Sequence, residues 1–123
     1  MVFGSQRCEG VHSTTGIQQI MNLEKHLKRQ QDFTVKTFGP GERTTGILKH
    51  IEDELKEVAQ APNDISEWID IVILAFDGAM RVGFTPQQLA NALEAKQTKN
   101  EGRTWPDWRD VPHGEPIQHV KEI

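Results

Sequence analysis

The sequence is short of cysteine, of long apolar runs and of basic charge, and each shortage removes a class of function. Cys8 is the one cysteine among 123 residues, which excludes an intramolecular disulfide together with C-x-x-C redox and zinc-ribbon chemistry. The cytoplasm is therefore the expected compartment. The longest uninterrupted apolar run, Ile71 to Phe76, falls far below the ~20 residues that a membrane span needs. Residues 1–10 lack the basic start and apolar stretch of a secretory signal, so no leader is expected there, and residues 1–15 read as a loose arm. With 14 Lys+Arg against 18 Asp+Glu, the chain has no basic excess with which to wrap nucleic acid irrespective of sequence. An anionic small ligand would need a metal.

What is present is a concentration of acid. Residues 50–77 hold eight acidic residues against one basic, Lys56. Elsewhere the signs are mixed: residues 1–49 carry seven basic and four acidic side chains, and residues 78–123 carry equal numbers. The 36% hydrophobic and 26% charged content suits one soluble domain with a single modest core.

Four helical patterns predict an all-α fold. Ile17, Ile20, Met21, Leu27, Thr34, Val35 and Phe38 recur at three- and four-residue steps, and Gly39-Pro40-Gly41 ends that pattern. A second helix begins near Thr44 or Thr45, carries Ile47, Leu48, Ile51, Leu55, Val58 and Ala59 on one side, and closes at Ala61-Pro62-Asn63. The third runs from Asp64 to about Gly83. Its β-branched run would also suit a buried strand, but the D-x-x-E capping box of Asp64 and Glu67 and the segment's length favour a helix. Thr85-Pro86-Gln87-Gln88 signals the fourth, with an N-cap, proline at the first helical position and glutamine at N3. From Gly102 the prolines and glycines describe an extended tail.

The acidic residues fall into register on two of these helices. Glu54 and Glu57 sit about 60° apart at the margin of the second helix's apolar arc. Glu67, Asp70, Leu74 and Asp77 form one stripe on a third helix that is apolar nearly all round and should be buried. Ionised carboxylates removed from water need compensation. Two sources are open: basic side chains from other helices or another subunit, or a hard divalent cation with oxygen ligands. A solvated E-x-x-E face is the plain alternative. On the fourth helix Lys96, Asn100 and Arg103 continue the edge of Leu89, Ala92 and Leu93, an arrangement that suits an anion or merely complements the helix dipole. Trp105 and Trp108 offer a stacking surface for a base or an anchor for the tail. His50 reads as a core-edge histidine with a satisfied ring, His113 and His119 as exposed tail residues, and Cys8 and Ser13 lie in the arm, away from any nucleophile set.

The pattern Glu54-x-x-Glu57, Glu67-x-x-Asp70 and Lys96-x-x-x-Asn100-x-x-Arg103 resembles the all-α nucleoside triphosphate pyrophosphohydrolases typified by MazG. Over roughly residues 26–109, Phe38-Gly39-Pro40-Gly41, Glu67-Trp68-Ile69-Asp70, Asp77-Gly78-Ala79 and Lys99-Asn100 through Arg109 are similar to the phage and prophage MazG-like group described as dATP/dGTP diphosphohydrolases (MazZ-like). The resemblance implies a four-helix bundle assembled as a homodimer or homotetramer, with Mg²⁺, or Mn²⁺ in its place, held by Glu54, Glu57, Glu67 and Asp70. It implies cleavage of a purine deoxynucleoside triphosphate between the α and β phosphates, with Glu54 or Glu57 helping to deprotonate water and Lys96, Asn100, Arg103 and Trp105 at the substrate. No nucleic-acid or membrane partner is expected, and a phage-encoded chain would act in the cytoplasm of a bacterial host. The expected layout is an arm over 1–15, the catalytic domain over 16–109 and a tail over 110–123. Two departures stand out: Asp53 replaces a glutamate common in the family, and the gap from Glu57 to Glu67 is shorter than in typical MazG. A broad or pyrimidine-directed hydrolase and a non-catalytic helical interaction module are the rival readings.

Overall fold

In the computed structural model, residues 21–121 are described. The arm, with Cys8 and Ser13, lies outside the described residues, as do Ile17 and Ile20. Helix α1 spans Leu23–Phe38, α2 Thr44–Gln60, α3 Ile65–Val82 and α4 Pro86–Glu101, followed by one 3-10 turn at Trp108–Asp110. No strand occurs among the described residues, and the all-α expectation with four helices holds.

The helix ends follow local chemistry. Asn22 caps α1 by accepting from the Lys25 N–H at 3.1 Å, and Gly39, at φ 86°, ends the helix. Asp64 caps α3 by accepting from both the backbone N–H and the hydroxyl of Ser66. The reciprocal half of the expected capping box is missing there, because the Asp64 N–H donates to the Ala61 carbonyl and Glu67 is buried elsewhere. At α4 the box is complete: Gln88 N–H donates to Thr85 Oγ1 at 3.1 Å, and Thr85 N–H donates to Gln88 Oε1 at 2.9 Å.

The chain divides into two compact units, one ending at Ala90 and the other beginning at Asn91. In the first, α2 packs along α3 and α1 packs on α3. Gly78 permits the close α2–α3 approach, since a Cβ there would stand 3.4 Å from Ile47 Cγ2. Gln30 ties α1 to α3 by donating to the Ile73 carbonyl at 2.9 Å. Among the described residues the buried apolar core consists of Leu27, Ile47, Val58, Leu74 and Met80. Several expected core positions are open instead, namely Met21, which precedes the Asn22 cap and lies outside the helix it was expected to join, Val35 on α1, and Leu48, Leu55 and Ala59 on α2. Each helix of this unit buries one narrow stripe, and those residues flank it.

Candidate metal centre

The buried stripe of α3 is mostly polar. Ser66, Glu67, Asp70 and Asp77 are buried on it with Leu74 and Met80, and on α2 Glu54 is buried between Ile47 and Val58. Glu54 is only 1% exposed, deeper than a position at the margin of the apolar arc suggests, because α3 closes over that edge. Glu57, one turn on, is half-buried. The short connection from Gln60 to Ile65 turns α3 back along α2, so the two acidic pairs face one another. Each of Glu54, Glu57, Glu67 and Asp70 presents an oxygen such that all four oxygens lie within 4.8 Å of one another.

Two consequences follow from crowding like charges away from water. First, burial and the neighbouring carboxylates raise proton affinity: Glu54 is pushed up to about 7, chiefly by desolvation and then by Glu57. Asp70 is pushed up to about 6 by desolvation and then by Glu57, and Glu67 is raised by the same causes. Second, Glu54 Oε1 and Oε2, Glu57 Oε2, Glu67 Oε2 and Asp70 Oδ2 are all buried without a hydrogen bond. Among the described residues no Lys or Arg forms an ion pair with any of the four. His50 Nε2 stands 3.2 Å from Glu54 Oε1, but burial lowers its proton affinity, which makes it a neutral neighbour more readily than a counter-ion. Hard, unpaired carboxylate oxygens converging on one point are the donor set that a divalent cation takes. The residues present fit such an ion.

Asp77, the last acid of the stripe, has a different fate. Its Oδ1 accepts from Arg81 Nε at 2.9 Å, with both side chains buried. Of the two sources of compensation left open by the sequence, an arginine serves Asp77, whereas among the described residues Glu54 has only His50 beside it and no Lys or Arg pairs with Glu57, Glu67 or Asp70. Hydrophobic periodicity does not single out Arg81, although its i, i+4 spacing from Asp77 is a readable pairing signal. His50, at i−4 from Glu54, carries the same kind of signal.

A family model for dATP/dGTP pyrophosphohydrolases matches residues 26–123. The chain belongs to the dATP/dGTP pyrophosphohydrolase family. It is also similar to the Eaa protein of Salmonella phage P22, 36% identical over 64 residues, which is 52% of this chain and 19% of the phage protein. The chain thus matches about a fifth of that relative's length. No solved structure matches.

In this dATP/dGTP pyrophosphohydrolase-family chain the first unit also contains a cleft of about 360 Å³ beside the carboxylates. Phe38, Ile47 and Leu74 supply apolar lining, Arg43, Lys49 and Arg81 supply positive charge against Asp53 and Asp77, and His50 joins the cleft to Glu54. The other expected site residues belong to the second unit. There Arg103 Nη1 donates to Asn100 Oδ1 at 3.1 Å, and Trp105 Nε1 donates to the Asn100 carbonyl at 2.7 Å. Lys96 is exposed on α4. The Trp105 ring meets His119 edge-on at 5.9 Å, and Val120 N–H donates to the Thr104 carbonyl at 2.8 Å, so Trp105 makes the contacts of a tail anchor. Trp108 is exposed, with the Arg109 guanidinium 5.6 Å from its ring. No described helix is long and apolar enough to cross a membrane.

Proposed function

We propose that the protein hydrolyses dATP or dGTP to the monophosphate and pyrophosphate, using a divalent cation held by Glu54, Glu57, Glu67 and Asp70. The observation that carries this reading is the set of buried, unpaired carboxylate oxygens within 4.8 Å of one another in a chain of the dATP/dGTP pyrophosphohydrolase family. Mg²⁺, or Mn²⁺ in its place, would neutralise the triphosphate and lower the pKa of a water. Water oxygen bonds to the α phosphorus as the bridging bond to the β phosphate breaks, and pyrophosphate leaves. Glu57, the least buried of the four, is the better placed of the two α2 glutamates to accept the proton of that water. The cleft in the first unit offers an apolar floor for the nucleoside, and the resemblance to the family makes Lys96, Asn100, Arg103 and Trp105 of the second unit the proposed substrate-binding residues.

We further propose that the protein works as a homodimer or homotetramer. Ile65, Trp68, Ile69 and Val72 on α3 and Leu48 and Leu55 on α2 are exposed in one protomer. A second copy covering them would gain on the order of 1 kcal/mol per side chain, because each is already about half buried in the protomer.

Pyrophosphate release measured across the four deoxyribo- and four ribonucleoside triphosphates, with and without Mg²⁺, tests the activity. Release from dATP or dGTP only with the cation is expected. Turnover of pyrimidines alone would replace the proposed substrate, and no release from any nucleotide with Mg²⁺ or Mn²⁺ would leave the helical interaction module.

A further inference from the structure

The cleft is walled in part by a corner of the chain that contributes nothing to the carboxylate cluster. Between α1 and α2, Gly39 and Gly41 adopt φ of 86° and 102°, a backbone region that favours glycine. Both of their carbonyls accept from one group: Arg81 Nη1 donates to Gly39 O at 2.8 Å and to Gly41 O at 2.9 Å. Arg81 Nη2 donates to the Thr34 carbonyl near the end of α1 at 3.3 Å, and Nε donates to Asp77. The Arg81 side chain is only 4% exposed. One planar fork thus fixes the last turn of α1 and the corner to α3 in a defined direction, which an apolar contact of similar size would not do.

The corner in turn carries two cleft residues. Arg43 Nη1 donates to the Phe38 carbonyl at 2.8 Å, and both residues line the cleft with Lys49 and His50; Asp77 and Arg81 also reach its wall, but Arg81 Nε, Nη1 and Nη2 are each already engaged by a protein acceptor. We propose that Arg81 is a positioning residue for the nucleotide. Acting through the Gly39 and Gly41 carbonyls, it sets where Phe38 and Arg43 stand in the cleft, and it leaves the four clustered carboxylates alone because, among the described residues, Asp77 is the only acid it engages. This rests on the pyrophosphohydrolase reading above, which makes the cleft a substrate recess.

The test compares Arg81→Lys and Asp77→Asn with the wild-type full chain. Lysine keeps the charge but has no planar fork to span three carbonyls and a carboxylate, while Asp77→Asn keeps the guanidinium and weakens its anchor. Steady-state kinetics with dGTP and Mg²⁺, and calorimetric Mn²⁺ binding without nucleotide, are measured together. For Arg81→Lys the expected result is a KM raised ~10-fold with kcat within ~3-fold, a smaller KM rise in Asp77→Asn, and Mn²⁺ affinity within ~2-fold of wild type in both. Loss of kcat and Mn²⁺ affinity with KM unchanged would overturn the proposal by assigning Arg81 to the metal centre. An unchanged KM in a folded Arg81→Lys protein would also overturn it, and if that variant loses its helical circular dichroism, an unchanged KM in Asp77→Asn does the same. Absence of pyrophosphate release by the wild type itself would instead sink the underlying function, a distinguishable failure.

Discussion

Along α3, the side packed against α1 and α2 carries Ser66, Glu67, Asp70 and Asp77 with Leu74 and Met80, whereas the other side carries Ile65, Trp68, Ile69 and Val72 in the open. An ordinary amphipathic helix of a soluble monomer has these the other way round. The inversion indicates that each side answers to a different partner. Carboxylates taken out of water call for positive charge, and Arg81 supplies it to Asp77 alone. Apolar side chains left in water call for a covering surface.

Three measurements bear on that contrast. The largest effect is expected from Glu57→Gln or Asp70→Asn, which remove one ligand from the inward side. Metal-dependent pyrophosphate release should fall on the order of 10²-fold or more with helical circular dichroism unchanged, and full activity in either variant would break the assignment of that side to a cation. The outward side is probed by Trp68→Glu, which places a charge among the exposed apolar residues. Light scattering should show the assembled mass dropping toward the 14.0 kDa of one chain, and a wild-type protein already monomeric at micromolar concentration would remove the contrast.

The smallest effect expected is on stability against pH. Glu54 at about 7 and Asp70 at about 6 both lie above their ordinary values, so the folded metal-free chain holds protons more tightly than the unfolded one. That contribution is complete below the ordinary carboxylate range and is lost as pH rises through about 6 to 7. The metal-free Tm should therefore drop between pH 5 and pH 8, and Mg²⁺ should restore it at the higher pH, since ligands ionise on binding metal. A metal-free Tm that rises over this interval would mean that the carboxylates are compensated by something other than protons.

Much of this was legible along the chain. The punctuation at Gly39-Pro40-Gly41, the Thr85 and Gln88 box and the closure before α3 each reproduce in the structure, because capping and proline effects act over a few residues and need no tertiary partner. The pairing of Glu54 and Glu57 with Glu67 and Asp70 was legible as spacing, and a short turn between helices brings such spacings face to face. Other features were not. Glu67 looks like the second half of a capping box, yet it is buried beside Glu54, Glu57 and Asp70, because that side of α3 packs against α2. Val35, Leu48 and Leu55 looked like core and are exposed, because periodicity shows which residues share a face without showing what covers it. Asp77 looked equivalent to Asp70 until Arg81, one turn along, was seen to engage it.

The sequence by itself determined four helices, their ends and the acidic register on two of them, since backbone propensity, capping and the 3.6-residue repeat are local. Only the tertiary structure decided which side of α3 is inside, which four acids share a point and which fifth one is neutralised by an arginine. Those outcomes depend on the angle at which α2 and α3 meet and on the path of the chain around Gly39 and Gly41, and both are set by packing among residues far apart in sequence.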